Sequence, residues 1–369
     1  MQDHEIDLPP ESVAVVLGTR PEIIKLAYVI RGLGPAALVI HTGQHYDFRL
    51  SAVFLEAFGI DEPSLFLEVG GKTRAGQIGS AVSSLGELFD GTHPLAVVVQ
   101  GDTNTTLAGA LAANAHEVPL AHVEAGLRSH DRRMPEEHNR VVTDHLADLL
   151  FTPTEVGRSN LLGEGVDPGR VHVTGNTVVE AVQRLMPSPQ DRGAILEQRG
   201  LESGRFVLST FHRPENVDDP DRFAVILEQL AKMPYPVCLP LHPRARQQAA
   251  KHGLERGLDK INVVDPVGYP EFLALGAESA FLVSDSGGVQ EEASIYKRPV
   301  IVVRRSTERP EVLGTFARLV EPEEIGDTVD AWLSDITAAH RELADLPSPY
   351  GDGSASDRIV AAIQGEVAK

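Results

Sequence analysis

The sequence predicts an α/β protein made of two Rossmann-like, doubly wound domains that face one another across a central cleft. Short β-branched runs alternate with helical segments from residue 13 onward, the alternation restarts after "RLMPSPQDRG", and polar residues gather directly behind the strands. Such alternation is the mark of βαβ units around a parallel sheet. A chain of 369 residues with 42% apolar content can bury two cores of ordinary size.

In order, "VAVVL" leads into "PEIIKLAYVIRGL", "AVVVQ" into "NTTLAGALAANA", "PLAHV" into "PEEHNRVVTDHLADLL" and "VHVTG" into "TVVEAVQRL". The Pro-rich polar stretch at residues 186–193 reads as a linker, which places a first domain over residues 1–185, with residues 1–12 an acidic flexible tail. The strands "FVLST", "PVCLPL", "INVVD", "AFLVS" and "PVIVV" then build a second domain over residues 186–352. Residues 353–369, with "GDGSASDRIVAAIQGEV", read as a helix capped by Ser354 or Ser356 that packs back on the first domain.

Composition excludes several function classes. A net charge of −20 disfavours wholesale binding to nucleic acid or an anionic membrane, although one small anionic ligand needs only a few local cations and helix N-termini. The longest apolar runs fall far short of the ~20 residues that span a bilayer, and the acidic start is unlike a signal peptide, so a cytoplasmic protein is expected. The single Cys238, in "YPVCLPLHP", reads as a buried strand residue, which rules out cysteine chemistry and disulfides within the chain. No "GxGxxG" follows the first strand and no paired ligands stand at helical spacing, so neither a dinucleotide cofactor nor a metal is expected.

Ligands of open α/β sheets bind at the carboxyl ends of the strands, where this chain is unusually polar. Arg20 precedes a helix that opens on Pro21. Asp102 in "GDTNTT" and Glu124 in "HVEAGLRS" end neighbouring strands, and Glu136 and Glu137 open the next helix in "MPEEHNR". Each alone is ordinary, but together they read as proton-transfer groups whose mutual repulsion would raise their pKa values. Arg128, Arg132, Arg133 and Arg140 stand close enough in sequence to pair with some of them.

In the second half, His212 and Arg213 follow one strand, and His242 and Arg244 follow another, a pattern suited to a pyrophosphate. Arg304 and Arg309 in "RRSTERPE" add further cations. In "DSGGVQEEA", Ser286, Gly287 and Gly288 can offer amides to the pyrophosphate, Glu292 can accept from a ribose diol, and Glu291 points aside as a structural residue.

The motifs "GTRPEIIK", "TGQHYD", "QGDTNTT", "HVEAGLRS", "MPEEHNR", "TGNTVVEA", "HRPEN", "DSGGVQEEA" and "STERPE", in order and across nearly the whole chain, resemble the non-hydrolysing UDP-N-acetylglucosamine 2-epimerases. The resemblance implies a fold like that of the GT-B nucleotide-sugar glycosyltransferases, a homodimer, and interconversion of UDP-GlcNAc with UDP-ManNAc. It implies proton transfer by Asp102, Glu124 and Glu136, with His212 beside the leaving UDP and Arg20, Lys25 and Arg309 holding the substrate's phosphates or sugar. "TGQHYD" departs from the "AQHR" of members activated by a second UDP-GlcNAc, but Gln44 and His45 remain candidates for such an allosteric site. "HRPEN" departs from the "HRRE" and "HREEN" of many relatives, because Pro214 stiffens the loop after His212. The rival readings are a 2-epimerase of a modified UDP-sugar, such as a UDP-diacetamido-glucuronic acid, a GT-B glycosyltransferase with a UDP-sugar donor, and a catalytically silent UDP-sugar sensor.

Overall fold

The computed structural model describes residues 11–44 and 54–368; residues 1–10 of the expected tail, and His45, lie outside them. The chain divides into two compact units, one running to Ala181 and resuming at Tyr350, the other spanning Val182–Pro349.

The first unit holds a seven-stranded sheet of β1 (Val13–Leu17), β2 (Ala37–His41), β3 (Leu65–Phe66), β4 (Ala96–Gln100), β5 (Leu120–Val123), β6 (Leu149–Thr152) and β7 (Val171–Val173). Its order is β3-β2-β1-β4-β5-β6-β7, with every pair parallel. The second unit repeats the plan with β8 (Val207–Thr210), β9 (Val237–Pro240), β10 (Asn262–Val264), β11 (Phe281–Ser284), β12 (Val300–Val303) and β13 (Ala317–Val320), ordered β10-β9-β8-β11-β12-β13 and all parallel. Helices cover both faces of a parallel sheet, which is why its strands read as unbroken apolar runs. All residues of β1, β4 and β11 are buried. In each sheet the strand order reverses at one place, between β1 and β4 and between β8 and β11.

Three expectations need correction. "PEEHNRVVTDHLADLL" is not one helix: the helix ends at Leu146, Ala147 turns extended, and Leu149–Thr152 pair as β6. The stretch 186–193 is not a plain linker, because Ser188 caps a helix over Pro189–Arg199 and the division between units falls inside the helix Val178–Leu185. The helix Ala355–Val367 packs on the helix Arg20–Leu33, but Ser354 at its N-cap accepts no capping hydrogen bond. Instead the Glu180 carboxylate accepts from the Ser356 amide at 2.8 Å.

Candidate active site

At the switch point of the first sheet the turn after β1 must come very close to its neighbours. A Cβ on Gly18 would lie 2.1 Å from Thr42 Oγ1 and 2.4 Å from Thr105 Oγ1, so only glycine fits. Glu22, four residues on, is buried and accepts from the Gly18 amide at 2.9 Å and the Thr103 hydroxyl at 2.8 Å. It thereby ties the turn after β1 to the turn after β4 that carries Asp102. The neighbouring Gln44 is likewise engaged, its side-chain oxygen accepting from the Thr105 amide at 2.9 Å and hydroxyl at 3.0 Å. Arg20 is half-buried with its guanidinium over the Phe54 ring.

The carboxylates at the strand ends each have a cation. Glu124, one residue past β5, is buried and accepts from Lys25 Nζ at 2.5 Å and Gln100 Nε2 at 2.5 Å. It holds φ 70, a left-handed conformation that costs a side-chain-bearing residue on the order of 1 kcal/mol or more. Asp102 receives Arg140 through Nε at 3.1 Å and through Nη2, and its side chain remains 27% exposed. Asn139 adds a 2.8 Å hydrogen bond to the Asp102 carbonyl. Glu136 is half-buried in the first turn of the helix Pro135–Leu146. Glu137 beside it is a loop anchor, accepting from the Ser129 and His130 amides at 3.0 and 2.8 Å and from Arg140 at 2.6 Å. Of the arginines expected to pair with candidate carboxylates, Arg140 does so; Arg128 pairs with Asp144 and Glu164, and Arg133 with Asp131.

Glu22 is a carboxyl raised by its surroundings, and the cause is burial. Burial pushes it up to about 7 against the opposing pull of its hydrogen bonds from Thr103, Thr19 and Gly18. The folded protein therefore keeps a proton that the unfolded chain, with its value of 4.5, gives up. Stability from this group is complete below the unfolded value and is lost as pH rises through about 7. The expected loss is about 3 kcal/mol. Urea unfolding between pH 4.5 and 8 should show this decline in the wild type and not in Glu22→Gln; parallel curves would remove Glu22 from the pH response.

In the second unit Asp285 stands one residue past β11 at the switch point and is fully buried. It accepts from the His212 and Arg213 amides at 3.1 and 2.9 Å and from Asn216 at 3.2 Å, and faces His212 Nδ1 at 3.1 Å. Burial opposes its charge, but the His212 ring and these donors outweigh burial and hold its carboxyl below the usual range. His212 is thus oriented from behind while its ring stays 40% exposed. The exposed His242 lies 5.7 Å away between ring centroids. Arg213 Nε donates to the Asp285 carbonyl at 3.0 Å, whereas Arg244 pairs with Asp218 in an exposed fork. Arg304 is buried against Glu308, 2.8 Å away.

The helix Gly287–Tyr296 follows directly, with Ser286 at its N-cap. Glu291 does point aside, as its helix position implies: Arg309 Nε donates to it at 2.9 Å. That contact lays Arg309 against the helix entrance, and a Cβ on Gly287 would meet its Nη1 at 3.0 Å. Glu292 accepts from the Tyr269 hydroxyl at 2.9 Å. The acidic pair behind the helix entrance therefore holds a cation and a tyrosine in place. Chemically, the first unit offers carboxylates able to carry a proton, and the second offers an imidazole, guanidinium groups and helix amides to an anion.

Asp285, Glu22 and the buried pair His122 and Asp144 were not singled out by the sequence. Only Asp285 carries a signal that could have found it, since a carboxylate directly behind an apolar strand at the start of a Gly-Gly helix is a switch-point residue. Among the described residues, no group of three or more His, Cys, Asp or Glu is placed to hold a metal ion, and no helix is long and apolar enough to cross a membrane.

A family model described as UDP-N-acetylglucosamine 2-epimerase matches residues 35–364. The UDP-N-acetylglucosamine 2-epimerase of Methanocaldococcus jannaschii is 38% identical over 361 residues, covering 94% of this chain and 97% of that one. The UDP-2,3-diacetamido-2,3-dideoxy-D-glucuronate 2-epimerase of Pseudomonas aeruginosa is 37% identical over 361 residues, covering 94% and 98%. A crystal structure of the Methanocaldococcus jannaschii UDP-GlcNAc 2-epimerase in complex with UDP-GlcNAc and UDP matches with a TM-score of 0.85 at 37% identity, over 96% of this chain and 99% of that one.

Proposed function

The chain belongs to the UDP-N-acetylglucosamine 2-epimerase family, and from that premise we propose that it interconverts UDP-GlcNAc and UDP-ManNAc without hydrolysis. A carboxylate removes the C2 proton, the C–H electrons form the C1–C2 double bond, and the C1–O bond breaks with its electrons leaving on UDP. The product is a 2-acetamidoglucal and free UDP anion. Return of a proton to the opposite face of C2 and re-addition of UDP to C1 complete the inversion.

The observation that carries this reading is the convergence of carboxylates at the ends of β4 and β5. Asp102, Glu124 and Glu136 are the proton-transfer groups, and Arg140, Lys25 and Gln100 orient two of them. His212, aligned by Asp285, meets the departing UDP, together with Arg213 and the amides of Ser286, Gly287 and Gly288. Arg309, placed by Glu291, serves the same anion, and Glu292, held by Tyr269, accepts from the ribose. The resemblance implies a homodimer as the working form, and the apolar runs, too short to span a bilayer, support a cytoplasmic one.

The protein incubated with UDP-GlcNAc alone in heavy water should yield UDP-ManNAc and place deuterium at C2 of the recovered substrate. Intact, unexchanged UDP-GlcNAc would sink the proposal. The Pseudomonas aeruginosa relative, nearly as similar as the first, makes its diacetamido sugar nucleotide the second reading. Competition between the two sugar nucleotides, read as a ratio of kcat/KM, separates them.

A further inference from the structure

We propose that His122 and Asp144 form a buried positioning pair that locks the three carboxylate-bearing segments of the first unit to one another. This inference rests on the epimerase reading above, which gives neither residue a role.

His122 lies in β5, two residues before Glu124, and neither it nor Asp144 has any exposed surface. One ring nitrogen, Nε2, sits 2.8 Å from the carbonyl of Gly101, the residue immediately before Asp102. The other, Nδ1, sits 2.7 Å from Asp144 Oδ1. Asp144 belongs to the helix Pro135–Leu146, whose first turn bears Glu136. Its carboxylate also accepts from the Gly126 amide at 3.2 Å, two residues past Glu124. The turn of Asp102, the strand end and turn of Glu124, and the helix of Glu136 are thus joined through two side chains.

Both of the ring's neighbours are acceptors. A carbonyl oxygen has no proton to give, and Asp144 is an ionised carboxylate: burial would raise it, but His122 and Arg128 outweigh burial and hold it below its usual range. Each ring nitrogen thus faces an acceptor on a different segment. Arg128 closes the arrangement from behind, with Nη1 2.7 Å from Asp144 Oδ2 and two further nitrogens each 2.7 Å from Glu164. A buried ion pair is poor evidence for stability, since apolar replacements often serve as well. Here its value is geometric, because proton transfer from carbon tolerates little displacement, and ~1 Å can cost about 100-fold in rate.

His122→Phe in the full-length enzyme is the test. The expected result is a kcat lowered about 100-fold, with KM for UDP-GlcNAc and Kd for UDP held within about 3-fold, since the second unit is untouched. Should that variant fail to fold, Asp144→Asn is the second arm, expected to lose about 10-fold or more in kcat with the same unchanged KM. Proton–nitrogen spectra of histidine-labelled wild type should contain a ring N–H protected from exchange with solvent, assigned by its loss or shift in the variant that folds. A folded variant with kcat within about 3-fold of wild type, or a wild-type spectrum without such a protected ring N–H, overturns the proposal. Wild-type protein that makes no UDP-ManNAc sinks the epimerase reading instead, and the nitrogen spectrum then decides the pairing by itself.

Discussion

Asp102→Asn should lower kcat by about 100- to 10,000-fold while leaving the affinity for UDP within about 2-fold. The amide nearly copies the carboxylate in shape but cannot take a proton from carbon. Asp102 can be changed without collapse of the site because it is partly exposed and the contact of its backbone carbonyl with Asn139 does not depend on the side chain. Arg140 would retain Glu137 as its second partner, so the helix end should hold. The measurement is deuterium entry at C2 of UDP-GlcNAc, which reads proton removal directly, beside calorimetric titration with UDP. If exchange in Asp102→Asn stays within about 3-fold of wild type, proton transfer belongs to Glu124 or Glu136, and Asp102 serves only to hold Arg140.

Lys25→Met should destabilise the fold by about 3–5 kcal/mol at neutral pH, the usual cost of removing one partner from a buried pair. Lys25 is 6% exposed and Glu124 is 6% exposed, so water cannot replace the lost ammonium. The Gln100 amide, a neutral donor, stays at Glu124 and supplies no positive charge. The cost is chiefly that of parting a buried carboxylate from its ammonium, so the double variant Lys25→Met with Glu124→Gln should regain much of the loss. Urea midpoints for the two single variants and the double variant complete the cycle. A loss below about 1 kcal/mol for Lys25→Met would mean that the pair behaves as a surface salt bridge. The same contact makes Lys25 the residue that would orient Glu124 in the proposed proton transfer, beside the substrate-holding role that the resemblance implies for it.

The fold was legible because parallel strands buried on both faces announce themselves as apolar runs, as "AVVVQ" and "AFLVS" do. β6 escaped notice because "HLADLLFT" passes from helix to strand through Ala147 and Asp148 with no glycine or proline to mark the change. The candidate carboxylates were legible from their places behind strands. What each one touches was not: Glu124 meets Lys25 across 99 residues, and Glu292 meets Tyr269 across 23. His122 was invisible for a different reason, since a single polar residue inside "PLAHV" looks like an ordinary strand position until Asp144 is brought beside it.

The tie between Glu180 and Ser356 also bears on the order of events during synthesis. The segment that completes the first unit leaves the ribosome only after the whole of Val182–Pro349. The Glu180 carboxylate and the face of the helix Arg20–Leu33 that receives Val360 must therefore wait, while the second unit, continuous in sequence, has all its own residues at hand. Translation runs from first unit to second, but final closure runs the other way, and the interval in which the first sheet lacks its terminal helix is when a chaperone would find most to hold.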